Sequence, residues 1–341
     1  MSPGLRCPAR PVLPALLLTL LAGCASNPPE PRLTGASERS PQTLAALAAA
    51  SEAFQSGDVF RTEEALRQAM SYAPDDPDIA LDLGDTLARM GRNEAAREHY
   101  LRFLKRHPGA SQIRQAYGLV LITLGAWKES EREFVRLAKE RPEDPTALFS
   151  LGLVLNRLGR YEEAIPPLRK AATLTPADAG IQTELGIAAL RLGRLPEASA
   201  ALRKAVDLDP QNVGALHNLG NCYARMNRPR EANAVLEQFA RASKRQETFL
   251  DEKRLFKSAQ SRTQELLHAG KAEKALEALL AYRSQLQNYA PFQQELGVTY
   301  LRLDKPREAI EAFQRALDLD PSLPVARARL TQLSARSPVS P

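Results

Sequence analysis

Apolar and small residues in the stretch 143–176 fall into two helical stripes separated by a short break. The first stripe has the i, i+3, i+4 and i+7 spacing of one helix face and consists of Leu148, Leu151, Gly152 and Leu155. The second has similar spacing and consists of Ala164, Leu168 and Ala171. Gly159 lies in the break, and Pro176 follows the second stripe, where it cannot continue a helical hydrogen-bond ladder. The pattern therefore predicts two helices joined by a tight turn.

This unit recurs with a period of 34 residues, as from Gly118 to Gly152. The counterparts of Gly152, Gly159, Ala164 and Pro176 are Gly84, Gly91, Ala96 and Pro108; Gly118, Gly125, Ser130 and Pro142; and Gly186, Gly193, Ala198 and Pro210. A fixed period of this length is typical of a tandem-repeat array. We therefore expect an elongated solenoid in which each unit contacts only its neighbours, instead of two or three globular domains.

Residues that tolerate a positive φ occupy the turn position of each copy. They are Gly57, Gly91, Gly125, Gly159, Gly193, Asn227, Gly270 and Asp304. An Asp or Asn two residues after a helix-ending proline is a candidate N-cap for the next helix. These candidates are Asp76, Asp144, Asp178 and Asn212.

The unit resembles the tetratricopeptide repeat (TPR), whose pattern has an aromatic residue, Leu-Gly, Tyr, Ala, Phe and Pro at set places. The matching residues are Leu151, Gly152, Ala164 and Pro176; Leu219, Gly220 and Tyr223; and Gly297, Tyr300, Ala309, Phe313 and Pro321. The family's early Trp is missing from every copy. The resemblance covers residues 43–321 and implies an all-α, right-handed superhelical solenoid of about eight helix-turn-helix repeats.

The period divides the array into segments. We predict TPR repeats one to six in residues 43–243, an extended helix with repeats seven and eight in residues 244–321, and a capping helix in residues 322–335. About nine residues are extra after repeat six, as judged against the 34-residue period. Because residues 245–257 lack Gly and Pro, they favour a longer first helix of repeat seven, starting near Gln246.

Two further features of the array leave open questions. A charged surface loop is the alternative for residues 244–257, and a partner-docking element is a third hypothesis. Pro166 and Pro167 fall inside the second helix of repeat four, so we expect that helix to start late or to be distorted.

Residues 1–23 have the features of a secretory leader. Arg6 and Arg10 precede the apolar run Val12–Gly23, which is too short to cross the hydrocarbon core of a bilayer as a helix. The run ends at Leu21-Ala22-Gly23-Cys24, which resembles a bacterial lipobox. That resemblance implies cleavage before Cys24 and its lipidation. The alternative is an ordinary secretory signal, which gives a secreted or periplasmic protein.

The residues that follow Cys24 refine the expected location. Ala25 stands where retention in the inner membrane would favour Asp, so resemblance to Gram-negative lipoproteins favours the periplasmic face of the outer membrane. Acylation with two or more chains, such as palmitate, would hold the protein there nearly permanently. Residues 24–42 are rich in Pro and Ser and are expected to form a lipidated, disordered tether.

The repeat pattern also predicts a candidate partner surface. Residues three before and one and four after the Gly of the Leu-Gly pair lie about 130° from the core stripe, at about 100° per residue. Resemblance to the TPR family makes this face a concave groove for a protein or peptide. The predicted groove residues are Leu81, Asp85, Leu119, Ile122, Phe149, Leu153, Asn156, Ile187, His217 and Asn221. One place further round lie Arg157, Arg191 and Arg225, which are either ordinary repeat residues or partners for an acidic ligand.

Composition narrows the classes of function. The net charge is +6, and it is spread too thinly over an extended chain to indicate a nucleic-acid partner. Three Cys and four His show no metal spacing, and no phosphate-binding Gly-rich loop or catalytic cluster is evident. We therefore expect no cofactor, no metal, no small-molecule substrate and no enzymatic activity.

These features predict a membrane-anchored TPR scaffold that mediates protein-protein interaction in a bacterial cell-envelope assembly. Its layout is similar to that of TPR lipoproteins of type IV or tight-adherence pilus assembly, which makes a pilus or secretion apparatus the favoured setting. The alternative is a self-associating subunit, or one acting through its convex face, in a polysaccharide or secretion export complex.

Overall fold

The computed structural model describes residues 39–55 and 58–336, and regular structure there consists of 17 α-helices without a strand. The expected all-α class is confirmed. The helices are α1 (Pro41–Gln55), α2 (Val59–Tyr72), α3 (Pro77–Arg89), α4 (Asn93–Arg106), α5 (Ser111–Thr123), α6 (Trp127–Glu140), α7 (Pro145–Arg157), α8 (Tyr161–Leu174), α9 (Ala179–Arg191), α10 (Leu195–Leu208), α11 (Val213–Arg225), α12 (Pro229–His268), α13 (Ala272–Leu280), α14 (Arg283–Leu286), α15 (Ala290–Arg302), α16 (Pro306–Leu319) and α17 (Pro324–Arg336). The leader, Cys24, most of the tether and Gly57 lie outside the described residues.

The chain falls into two compact units, which meet in sequence between Phe239 and Ala240. The first contains α1 to α11 and the beginning of α12. From α2 to α11 each helix packs against the next one in the chain, and from α3 to α11 the first helix of a pair also packs against the first helix of the following pair, as α3 does against α5. Contacts therefore run between neighbouring repeats, as a tandem array requires.

The second unit contains the remainder of α12 and α13 to α17. Its larger cluster is built from Phe256, Leu279, Leu286, Phe292 and Leu296. In α17, Ala326, Leu330 and Leu333 pack on a smaller cluster formed by Ala309, Phe313 and Ala316 of α16. The last helix thus covers apolar surface that the final repeat would otherwise expose.

In six of the helix pairs the close approach of the two helices depends on a glycine of the first helix. A Cβ at Gly152 of α7 would lie 2.3 Å from Cγ of Leu168 in α8, and one at Gly186 would lie 2.4 Å from Cγ of Leu202. Ala164 of α8, another small residue that recurs with the period, is fully buried. The helix axes approach so closely that a single methyl group has no room.

Turn and cap predictions are confirmed wherever the structure describes them. The seven described turn residues all have positive φ, including the non-glycine residues Asn227 at 56° and Asp304 at 57°. The carboxylate of Asp144 accepts hydrogen bonds from the N–H groups of Thr146 and Ala147, at 2.9 and 3.2 Å. Asp76, Asp178 and Asn212 cap α3, α9 and α11 in the same way.

Helix α12 differs from the expected segmentation. It runs without a break from Pro229 to His268, so the second helix of repeat six and the first helix of repeat seven are continuous. No new helix starts near Gln246, and residues 245–257 are not a loop. The physical reason is that residues 230–268 contain neither Gly nor Pro, so nothing interrupts the hydrogen-bond ladder.

Helix α8 also starts where the other second helices do. It begins at Tyr161 and contains Pro166 and Pro167, so the expectation of a late start is wrong. The two missing N–H groups would have bonded the carbonyls of Glu162 and Glu163. Both of these residues are exposed, where water can satisfy the carbonyl groups.

Replacing Gly152 by Ala should lower the free energy of unfolding by about 1–3 kcal/mol, because the new methyl group overlaps Leu168. Urea unfolding followed by circular dichroism measures the change. Gly109→Ala is the matched control, since a Cβ there has no atom within 4 Å, and its stability should be unchanged or higher by up to about 1 kcal/mol. Equal losses in both variants would contradict the close-packing argument.

Candidate functional site

The candidate surface is the face of the first helices α3, α5, α7, α9 and α11 that carries the predicted groove residues. Five of these residues are buried. Their exposed fractions are 6% for Leu81, 5% for Ile122, 8% for Phe149, 2% for Leu153 and 5% for Asn156. The expectation that they line an open apolar groove is therefore wrong.

These residues are buried because neighbouring repeats pack on them, which cannot be seen from the position of a residue within one repeat. Successive first helices pack against each other on this face, α3 on α5, α5 on α7 and α7 on α9. Ile122, Phe149 and Leu153 consequently belong to one core cluster with Phe134 and Leu137. These side chains hold neighbouring repeats together and are unavailable to a partner.

Asp85 is tied to the interior by the second helix of its own repeat. The hydroxyl group of buried Tyr100 donates a hydrogen bond to Asp85 Oδ1 at 2.6 Å. Burial raises the pKa of Tyr100 well above its usual value, so the phenol keeps the proton that it donates. The half-buried Asp85 carboxylate thus has a structural partner.

Arg157 is also occupied, within a network between repeats four and five. Its Nη2 lies 3.0 Å from Oε1 of Glu184, whose side chain is 3% exposed. Asn156 Nδ2 donates to the carbonyl oxygen and to Oε2 of the same Glu184, at 2.9 and 2.8 Å. Oδ1 of Asn156 is buried without a hydrogen-bond partner among the described residues. The network joins α7 to α9.

The corresponding arginine of repeat five, Arg191 in α9, lacks the acidic partner that Arg157 has in the following repeat. The residue of α11 that corresponds to Glu184 is Asn218, whose amide donates to the carbonyl oxygen of Gly214. Arg191, the counterpart of Arg157, is exposed and forms no ion pair with any residue that the structure describes. The sequence itself contains this difference: Glu184 and Asn218 are one period apart, and only Glu184 carries a charge.

Four predicted residues remain exposed, and they lie on α9 and α11: Arg191, His217, Asn221 and Arg225. We call them the α9–α11 patch. Asn221 Nδ2 lies 3.0 Å from His217 Nε2, and Arg225 Nη1 donates to the carbonyl oxygen of Leu190 at 2.9 Å. That carbonyl precedes Arg191 in the chain, so the two arginines come from adjacent first-helix ends. Of the other predicted residues, Leu119 of α5 and Ile187 of α9 are half-buried.

Other kinds of site find little support in the described residues. No group of three or more His, Cys, Asp or Glu there is placed to hold a metal ion. No described helix combines the length and the apolar character needed to cross a bilayer. What the first-helix face offers is a set of hydrogen-bond donors and positive charges, which suits recognition of a polypeptide more than bond-making chemistry.

Removing the Glu184 carboxylate tests which arginines are structural. Glu184→Gln should lower the free energy of unfolding by about 1–3 kcal/mol, because Arg157 loses a charged hydrogen-bond partner. Arg191→Ala should change it by less than about 0.5 kcal/mol, since an exposed side chain without an ion pair is removed. Urea unfolding measures both changes, and similar values for the two variants would show that this distinction is wrong.

Family models for the tetratricopeptide repeat match most of the chain. The matched stretches are residues 53–105, 81–140, 116–179, 188–227, 215–249 and 293–323. No curated protein matches the sequence.

The similar solved structures have low sequence identity to this chain. One from Parabacteroides merdae ATCC 43184 is 16% identical, covers 86% of this chain and 100% of its own, and has a TM-score of 0.49. YrrB, described as a TPR protein with an unusual peptide-binding site, is 23% identical over 53% of this chain and 93% of its own, with a TM-score of 0.46. The MamA RS-1 ArsTM double mutant is 24% identical over 50% and 96%, also with a TM-score of 0.46.

Proposed function

This chain belongs to the tetratricopeptide repeat family, and on that premise we propose that it is a lipid-anchored scaffold that holds a protein partner on the α9–α11 patch. TPR repeats form scaffolds for protein-protein interaction, and membership of the family gives this general function. The proposal adds the surface, the membrane anchor and the setting, a cell-envelope assembly such as a pilus or secretion apparatus.

The observation that supports this surface is the positive charge of Arg191 in repeat five, which has no ion pair among the described residues. Arg191 stands where Arg157 stands one repeat earlier, but Asn218 replaces the acid that Arg157 binds. A partner carboxylate can supply the missing acid, and the fork of the guanidinium group suits bidentate binding. Arg225 adds a second positive charge, and His217 with Asn221 adds hydrogen-bonding capacity. We therefore expect the bound segment to be acidic.

The anchor rests on the N-terminal sequence. A basic start, a short apolar run and the Leu21-Ala22-Gly23-Cys24 ending support export and lipidation at Cys24. Two or more acyl chains at that residue would place the repeats on the periplasmic face of the outer membrane. The scaffold would then meet envelope partners near the lipid surface, within the reach of the tether.

A photo-crosslinking residue at exposed Asn221 should capture a discrete partner in growing cells, which mass spectrometry then identifies. The double variant Arg191→Glu/Arg225→Glu should reduce capture about tenfold, because two attractive contacts become repulsive. Lys105→Glu/Lys139→Glu is the matched control, since it makes the same change in net charge at exposed second-helix positions. The patch is not the binding surface if both double variants capture the partner equally well.

The variant Cys24→Ser should move the protein from the outer-membrane fraction to the soluble periplasmic fraction. Globomycin, which blocks cleavage of lipoprotein leaders, should make the uncleaved precursor accumulate in the wild type only. Density-gradient fractionation and immunoblotting measure both effects. If the Cys24→Ser protein still sediments with the outer membrane, the lipid anchor is ruled out.

A further inference from the structure

An open cleft of about 290 Å³ lies where helices α8, α9 and α10 meet. Its lining comes from three consecutive helices and consists of Arg169, Gln182, Leu185, Glu197, Ala200, Ala201 and Lys204. None of these residues belongs to the α9–α11 patch.

The cleft lies where the repeat family places its early Trp. In the family pattern that Trp stands three residues before the Leu of the Leu-Gly pair, and in repeat five the residue there is Gln182. The second-helix residue that faces this position in the cleft is Ala201. Neither side chain is large enough to replace an indole.

Other repeats fill the same place with a large side chain from this chain. In repeat two the corresponding residues are Ala80 and His99, and the half-buried ring of His99 has its Nε2 2.7 Å from the carbonyl oxygen of Ala80. In repeat three they are Arg114 and Glu133, which form an ion pair at 2.6 Å. In repeat five the corresponding side chains, Gln182 and Ala201, leave this place open.

The walls of the cleft combine apolar surface with positive charge. Leu185, Ala200 and Ala201 supply the apolar part. At the rim Arg169 and Glu197 form an ion pair with each other. Lys204 is exposed and has no ion pair within the described part of the chain, so the rim carries a net positive charge.

We propose that this cleft binds a tryptophan side chain of a partner protein that has a carboxylate next to the indole. An apolar cavity of about 150 Å³ is large enough to hold benzene, so this cleft has room for an indole. Indole burial removes a large apolar area from water, and Gln182 can accept a hydrogen bond from the indole N–H. Lys204 selects an acidic neighbour by charge.

The probes are N-acetyl-L-tryptophan, which carries a carboxylate, and its neutral amide, titrated into the full chain and followed by saturation-transfer NMR. Both should bind saturably through their indole protons, the acid about threefold more tightly. Gln182→Trp fills the cleft from within and should weaken both probes about tenfold or more. Lys204→Ala should remove the preference for the acid.

Val235→Trp is the matched control, because Val235 occupies the place of Ala201 one repeat later and should leave binding unchanged. Circular dichroism confirms that each variant is folded. The proposal is overturned if folded wild-type protein shows no saturable binding, or if Gln182→Trp binds as well as wild type. Neither result would affect the α9–α11 patch, which shares no residue with the cleft.

Discussion

The contact on which most of the repeats depend is that of a glycine in the first helix with a large side chain of the second helix. Gly84 faces Tyr100, Gly118 faces Phe134, Gly152 faces Leu168 and Gly297 faces Phe313, each so closely that a Cβ would overlap the partner. Dispersion and apolar burial between two helices increase as the axes approach. One missing methyl group therefore sets the distance at which these pairs pack, and the turn and cap residues bring the two helices to this contact.

In the repeats that keep both this contact and the 34-residue period, the differences between repeats lie in the side chains around it. Exchanging Glu184 for Asn218 one period later changes an arginine that binds its neighbour into one that is exposed. Exchanging His99 for Ala201 changes a filled position into a cleft of about 290 Å³. Both candidate surfaces arise in this way, as departures from a regular pattern at places where the backbone stays the same.

Sequence reasoning identified the repeat, the turns and the caps, yet it misplaced half of the partner surface. The repeat pattern predicts Phe149 and Leu153 in a groove, because both positions face away from the core of their own helix pair. They are buried because the next first helix lies against that direction. The predicted division of helix α12 extends the 34-residue period through a region in which no Gly or Pro ends a helix.

The sequence by itself determined what depends on short separations along the chain: the 34-residue period, the positive φ at Asn227 and the capping of α7 by Asp144. These are properties of single residues or of residues within a few helical turns, so local steric and hydrogen-bonding rules suffice. Tertiary structure decided which side chains remain accessible, because that depends on how successive repeats pack. The Arg157–Glu184 pair and the cleft beside Ala201 join residues of different helices, and no local rule fixes their distance.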